Sequence, residues 1–345
     1  MKDRIFFPNI LSFGFFPLVL YLSACLCGCA STSEPIQETG FYFDTVVSVT
    51  VYGQKDVGVL EECMDLCARY EQFFSPTLEG SDVYRINHSG GKATEVSEET
   101  VTLLKEAISY AESTDGLVDP TIAPLTRLWN FSSSSLTQED ADAQNKVPEA
   151  SDILDALSHI DYKMVQIDGN TVTLLDPQGQ IDLGFIAKGY IADRLKELLL
   201  SRDVTSALIN LGGNVLAVGA RPDGTPFQIG LQEPFSEHGT SAAVLPVTDW
   251  SVVSSGIYER CFEQDGQLYP HLLDSKPGYP IHNGLASVTI LSSSSTQADA
   301  LSTICFCLGL EEGKQLAESL PEVEAVFLTQ DGQLITTSGV QLADD

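Results

Sequence analysis

The sequence predicts an α+β fold, with mixed and antiparallel sheets and packed helices, in one large domain or two intimately joined subdomains. Three observations predict it. Short runs that alternate apolar and polar residues flank tight-turn pairs at Gly169-Asn170, Gly212-Gly213 and Asp265-Gly266, the pattern of antiparallel hairpins. Longer segments at 57–74, 97–113 and 296–308 place apolar residues three and four apart, the period of a helix with one buried face. The chain has 345 residues, 43% of them apolar, which is ample for a sizeable core. Its formal charge of −30 repels nucleic acid and anionic lipid headgroups, so any phosphate site must carry its own local positive charge.

In chain order, Lys2 and Arg4 precede an apolar run through Leu22, a signal peptide or a single membrane anchor by length. Leu22-Ser23-Ala24-Cys25 puts small residues before a cysteine, as at a lipoprotein signal peptidase site, and Leu26-Cys27-Gly28-Cys29 offers a second candidate. The expected organisation is a signal peptide over 1–24, lipidation at Cys25, a flexible polar tether over 25–40 and a catalytic-size domain over 41–340. The body then sits on the outer face of a bacterial cytoplasmic membrane. Five cysteines remain beyond that region, with spacings unlike a zinc knuckle, and read as buried free thiols.

The stretch 41–52 alternates as a half-buried strand. Helices follow at 57–74, with Cys63 and Cys67 on its apolar face, and at 97–113, with Ser97 as N-cap and Glu98 and Glu99 in its first turn. Residues 114–135 are irregular and rich in Pro, Gly and Trp, and 132–146 read as a solvated insertion. A helix at 149–158 leads to two short strands around Gly169-Asn170. At 181–189 a strand runs into a helix with Lys188 near its start; unpaired amides, the helix dipole and a lysine together make an anion site. Strands at 206–211 and 214–219 flank Gly212-Gly213, either a plain hairpin or glycines clearing space for a ligand. The runs FQIGLQEP, AAVLPVT and SVVSS continue the sheet, and helices at 296–308 and 311–319 and a final hairpin close the domain.

The densest chemistry lies between Ser254 and Thr303. The Asp265-Gly266 hairpin delivers His271 and Asp274, and a strand, ASVTIL, leads to the helix that carries Asp299 and Thr303. Four residues apart, that carboxylate and hydroxyl share one helix face and offer two hard oxygens to Mg²⁺ or Ca²⁺. Spacing alone also fits an Asp facing the helix dipole and a Thr bonding its own i−4 carbonyl.

The stretch SGIYERCFEQDGQLYPHLLDSKPGYPIHNGLASVTI, followed by ADALST, resembles the C-terminal signature of the FAD:protein FMN transferases, the ApbE-like family. Further blocks agree in order: FDTVVSVTVYG at 43–53, DGLVDPTIAPLTRLWNF at 115–131, IDLGFIAKGYIADRL at 181–195 and ALINLGGNVLAVG at 207–219. The resemblance implies the ApbE-like fold and a site that handles FAD. Phe43, standing where family members carry the Met of Met-Gly-Thr, is then in the flavin's surroundings. Asp119, Pro120, Thr121, Asp182, Lys188 and Leu273 bind the nucleotide, while the Phe185 carbonyl, Asp299 and Thr303 hold Mg²⁺. His271 becomes the general base, with Asp274 orienting it or facing substrate. The implied reaction moves FMN from FAD to a Thr or Ser hydroxyl of acceptor proteins and releases AMP. Two alternatives use overlapping residues: an FAD pyrophosphatase, and an extracellular flavin-binding lipoprotein that has no need of His271.

Overall fold

The computed structural model describes residues 34–54, 57–131, 146–236 and 239–343, which form one compact unit. The signal peptide and Cys25 lie outside the described residues. The first element is a hairpin of β1 (Ile36–Tyr42) and β2 (Thr45–Val51), where a single strand over 41–52 was expected. Phe43 and Asp44 both adopt φ 55°, a tight turn made without glycine, which is why alternation alone missed it. Residues 36–40, expected in the tether, belong to β1.

Helices α1 (Gly58–Phe74), α2 (Asp82–Asn87) and α3 (Glu98–Ser113) follow. Local signals set their ends: the Ser97 hydroxyl accepts from the Thr100 amide, and that of Ser81 from the Tyr84 amide. Cys63 and Cys67 face the core of α1, and burial pushes both thiols up to about 12. All five described cysteines are free. Within the segment expected to be irregular stands α4 (Ala123–Trp129), and α5 (Ala150–Leu157) follows the residues left undescribed. Strand β3 (Thr94–Glu95) makes a small antiparallel sheet with β4 (Val165–Asp168) and β5 (Thr171–Leu174), in the order β3-β5-β4.

Helix α6 (Ala187–Ser201) is entered from an extended segment that makes only one bridge, Gln180 to Ile122, in place of the expected strand. The main sheet then assembles from β6 (Ser206–Leu211), β7 (Asn214–Gly219), β10 (Ser251–Gly256), β13 (Leu285–Ser292), β14 (Val323–Thr329) and β15 (Leu334–Thr336), in the order β1-β2-β6-β7-β10-β13-β14-β15. All its pairings are antiparallel. Gly212 turns the β6–β7 hairpin at φ 60°, and a Cβ there would meet the Thr45 hydroxyl at 2.2 Å. The close approach is therefore to the neighbouring hairpin.

Two strands expected in this sheet stand apart. β8 (Phe227–Gln232) and β9 (Ser241–Val247) pair only with each other and cover one face of it. Strand alternation sorts the layers: Val252, Leu291 and Val326 pack toward that hairpin, whereas Val253, Ile290 and Phe327 face the helices. On the helical face lie α7 (Ser295–Leu308), closed by Gly309, and α8 (Leu310–Ser319). A last hairpin, β11 (Cys261–Gln264) and β12 (Gln267–Pro270), turns at Asp265 and Gly266 with φ 54° and 76°, as the sequence predicts. Among the described residues no helix is long and apolar enough to cross a membrane.

Candidate active site

The N-terminal turn of α6 and the middle of α7 lie against each other. Gly189 permits this: a Cβ there would sit 2.2 Å from the Ser295 carbonyl oxygen and 2.7 Å from the Asp299 Cβ. Gly189 is the third residue of α6, so its amide has no partner within the helix. It donates to Asp299 Oδ2, at 2.8 Å. Phe185 precedes the helix, whose first ladder bond runs from the Tyr190 amide to the Ile186 carbonyl, so the Phe185 carbonyl stands outside that ladder, and Asp299 has only 4% of its side chain exposed. Burial raises the pKa of Asp299, while the Lys188 ammonium, 3.9 Å from Oδ1, and backbone amides of α6 pull it down.

One turn along α7, the Thr303 hydroxyl is 3.3 Å from that of Ser255, at the end of β10. A carbonyl, a carboxylate and a hydroxyl make an all-oxygen donor set that fits a hard cation such as Mg²⁺. Among the described residues no group of three or more His, Cys, Asp or Glu is placed to hold a metal ion.

His271 directly follows β12. Its amide donates to the Arg260 carbonyl at 2.9 Å and its Nδ1 lies 3.2 Å from the same oxygen. A carbonyl only accepts, so Nδ1 carries the proton and Nε2 keeps its lone pair. Burial first, then the charges of Arg260 and Lys188, hold the imidazole below its ordinary 6.5, so the half-buried ring is neutral at pH 7. Beside it, Glu259 is exposed as a residue but feels the cleft: burial and Asp299 raise its carboxyl, Lys188 and Arg260 lower it, and water at the rim screens part of the shift. Lys188 thus acts electrostatically on Asp299, His271 and Glu259 alike, so one ammonium lies within reach of all three titratable groups.

The sequence profile of the ApbE family matches residues 43–327. The chain belongs to the ApbE family. It is similar to a FAD:protein FMN transferase of Treponema pallidum, 31% identical over 91% of this chain and 90% of the relative, and to one of Klebsiella pneumoniae, 35% identical over 83% and 87%. Among solved structures, the ApbE protein of Thermotoga maritima superposes with a TM-score of 0.79 at 32% identity, covering 88% of this chain and 97% of that one. The flavin transferase ApbE of Vibrio cholerae does so at 0.76 and 27%, over 88% and 97%.

Other residues expected in this ApbE-family site hold its frame. Asp182 accepts from the Gly184 amide at 2.8 Å and from the Thr126 hydroxyl at 3.3 Å, while its own amide donates to the Pro120 carbonyl at 2.8 Å. Asn87 clamps the preceding Ile181 through both its amide and carbonyl. The segments 119–122 and 180–184 are therefore zipped together and aim Lys188. Asp119 is buried with both oxygens engaged, one by the Thr121 amide and hydroxyl, the other by the Tyr162 amide. Leu273 is buried in an apolar cluster with Trp129 and Phe262. The half-buried Phe43 packs on the core, its amide donating to Glu71 at 2.8 Å.

Asp274 Oδ1 accepts from the Lys276 amide at 2.9 Å and its carbonyl from the Gly278 amide, so it closes the 274–278 turn, while the hydrogen bond of the His271 ring is to the Arg260 carbonyl. Trp129 Nε1 pins that turn at the Gly278 carbonyl, 2.9 Å away. Sequence reasoning also missed Ser255, Glu259 and Arg260. The charged pair Glu259-Arg260, set between a buried strand and a hairpin, was the available signal; a backbone carbonyl that fixes a tautomer leaves none.

Proposed function

We propose that the protein transfers FMN from FAD to a Thr or Ser hydroxyl of acceptor proteins, releasing AMP, with Mg²⁺ held by the Phe185 carbonyl, Asp299 and Thr303. The observation that supports the metal reading is the buried Asp299 carboxylate, tied to the start of α6 by the Gly189 amide, with the Phe185 carbonyl outside that helix's ladder. Bound there, Mg²⁺ supplies charge neutralisation and polarisation of the pyrophosphate. The chain's own residues do the rest. His271 Nε2 accepts the proton of the acceptor hydroxyl as its oxygen bonds to the phosphorus on the FMN side of the pyrophosphate. The bond from that phosphorus to the bridging oxygen breaks, and AMP leaves with the electron pair. Lys188, with 31% of its side chain exposed, holds nucleotide phosphate against an otherwise acidic molecule.

A base so placed contributes roughly 10² to 10⁴ in rate. Support for transfer over simple binding comes from the neutral His271 with Nε2 unspent, which flavin storage would not require. The lipobox reading of Cys25 supports an enzyme anchored on the outer face of the cytoplasmic membrane, with acceptors on the same side. The test is incubation with FAD, Mg²⁺ and a candidate acceptor domain, read by intact mass and in-gel flavin fluorescence. A mass gain of one FMN group on the acceptor supports transfer; FMN and AMP in solution with an unmodified acceptor would show a pyrophosphatase, and intact FAD a binding protein.

A further inference from the structure

Asp193 lies one turn beyond Gly189 on α6, on the face that meets α7. Its carboxylate gathers the first turn of α7 completely. Oδ1 accepts from the Ser295 amide at 2.8 Å; Oδ2 accepts from the Thr296 amide at 2.9 Å, the Thr296 hydroxyl at 2.7 Å and the Ser294 hydroxyl at 3.1 Å. Yet α7 already has its own cap, because the Ser294 hydroxyl accepts from the Gln297 amide. A second cap reaching in from another helix is redundant for forming α7. It is not redundant for placing it. On the opposite side the Ser295 hydroxyl is tied to the sheet through Ser251 and Asn214, at 2.8 and 3.0 Å. The turn that leads to Asp299 is therefore clamped between α6 and the sheet.

We propose that Asp193 is a positioning residue for the metal site: by clamping the first turn of α7 to α6, it fixes Asp299 and Thr303 opposite the Phe185 carbonyl. The inference rests on the Mg²⁺ reading above. The cation's two protein sources sit on different elements, the carbonyl at the entry to α6 and the carboxylate and hydroxyl on α7. A site held to about 0.5 Å needs these two elements to move as one body. Asp193 ties α6 to the first turn of α7, and the Gly189 amide and Lys188 tie it to Asp299 one turn further along.

The test uses the mature chain and Mn²⁺ as the probe, with free Mn²⁺ read by electron paramagnetic resonance and melting temperature read in EDTA. Asp193→Asn is expected to weaken Mn²⁺ binding by about 10 to 100-fold, the usual cost of losing a group that orients a ligand. Ser97→Ala, which removes the cap of α3 and touches neither α6 nor α7, is expected to lower the melting temperature while changing Mn²⁺ affinity by no more than about two-fold. Should Asp193→Asn fail to fold, Thr296→Val removes a single donor to the same carboxylate and is expected to weaken Mn²⁺ several-fold. Wild-type affinity in folded Asp193→Asn or Thr296→Val overturns the proposal, and so does equal weakening by Ser97→Ala. A wild-type protein that binds no Mn²⁺ overturns the metal reading itself, an outcome visible before any variant is compared.

Discussion

At the scale of single residues, the site depends on atoms freed from ordinary duties. Asp299→Ala removes the one charged donor in the oxygen set, and transfer should fall by at least about 10²-fold, as when a preorganised electrostatic group is lost. EDTA should reproduce the loss, and equal rates in EDTA and Mg²⁺ would refute it. The pH dependence follows from His271. Its folded pKa lies below the ordinary 6.5, so the unfolded chain binds more protons just below that pH. Its contribution to stability is therefore complete above about pH 6.5 and lost as pH falls toward the folded value. Urea midpoints at pH 7 and pH 5 should separate more for the wild type than for His271→Ala. His271 and Asp299 were legible as candidates because motif residues carry their chemistry in their side chains. The turn that Asp274 closes was not legible, because an Asp four residues before a glycine closes a turn as readily as it serves a histidine.

At the scale of elements, helix ends were readable where caps are local, as at Ser97, and strands where turns need special residues, as at Asp265-Gly266. The β1–β2 turn was not, because Phe43 and Asp44 take positive φ without the usual sequence cue. Nor could alternation reveal that β8 and β9 form a separate layer, since a strand with one buried face reads alike in either sheet. The α6–α7 contact is the element-level feature that makes the site. Gly189→Ala should force the helices apart, because its methyl group would meet backbone at 2.2 Å. We expect a loss of about 1–3 kcal/mol from overpacking and a larger proportional loss of transfer. Urea titration alongside transfer rates checks this, and a variant as stable and active as the wild type would contradict the close-contact account.

At the scale of the whole molecule, the chain carries a formal charge of −30, and Lys188 and Arg260 supply the local positive field around His271. Higher ionic strength should weaken long-range repulsion of FAD more than it weakens these short contacts. The proposed lipid anchor is tested at the N-terminus: mass spectrometry of the mature chain should find Cys25 acylated, or Cys29 as the second candidate, and an unmodified N-terminus at neither would remove the anchor. Blocks of the ApbE family were visible along most of the chain because they recur in order, whereas the contacts that join them, Arg260 to His271 and Gly189 to Asp299, span folded space. The central claim is that His271 moves a proton and does not merely hold the hairpin. Single-turnover transfer, FAD affinity and melting temperature, measured on one preparation of His271→Ala, test it most directly. The account predicts a rate lower by at least about 10², with FAD affinity within a few-fold and the fold intact. Wild-type transfer by a stable His271→Ala protein would contradict it.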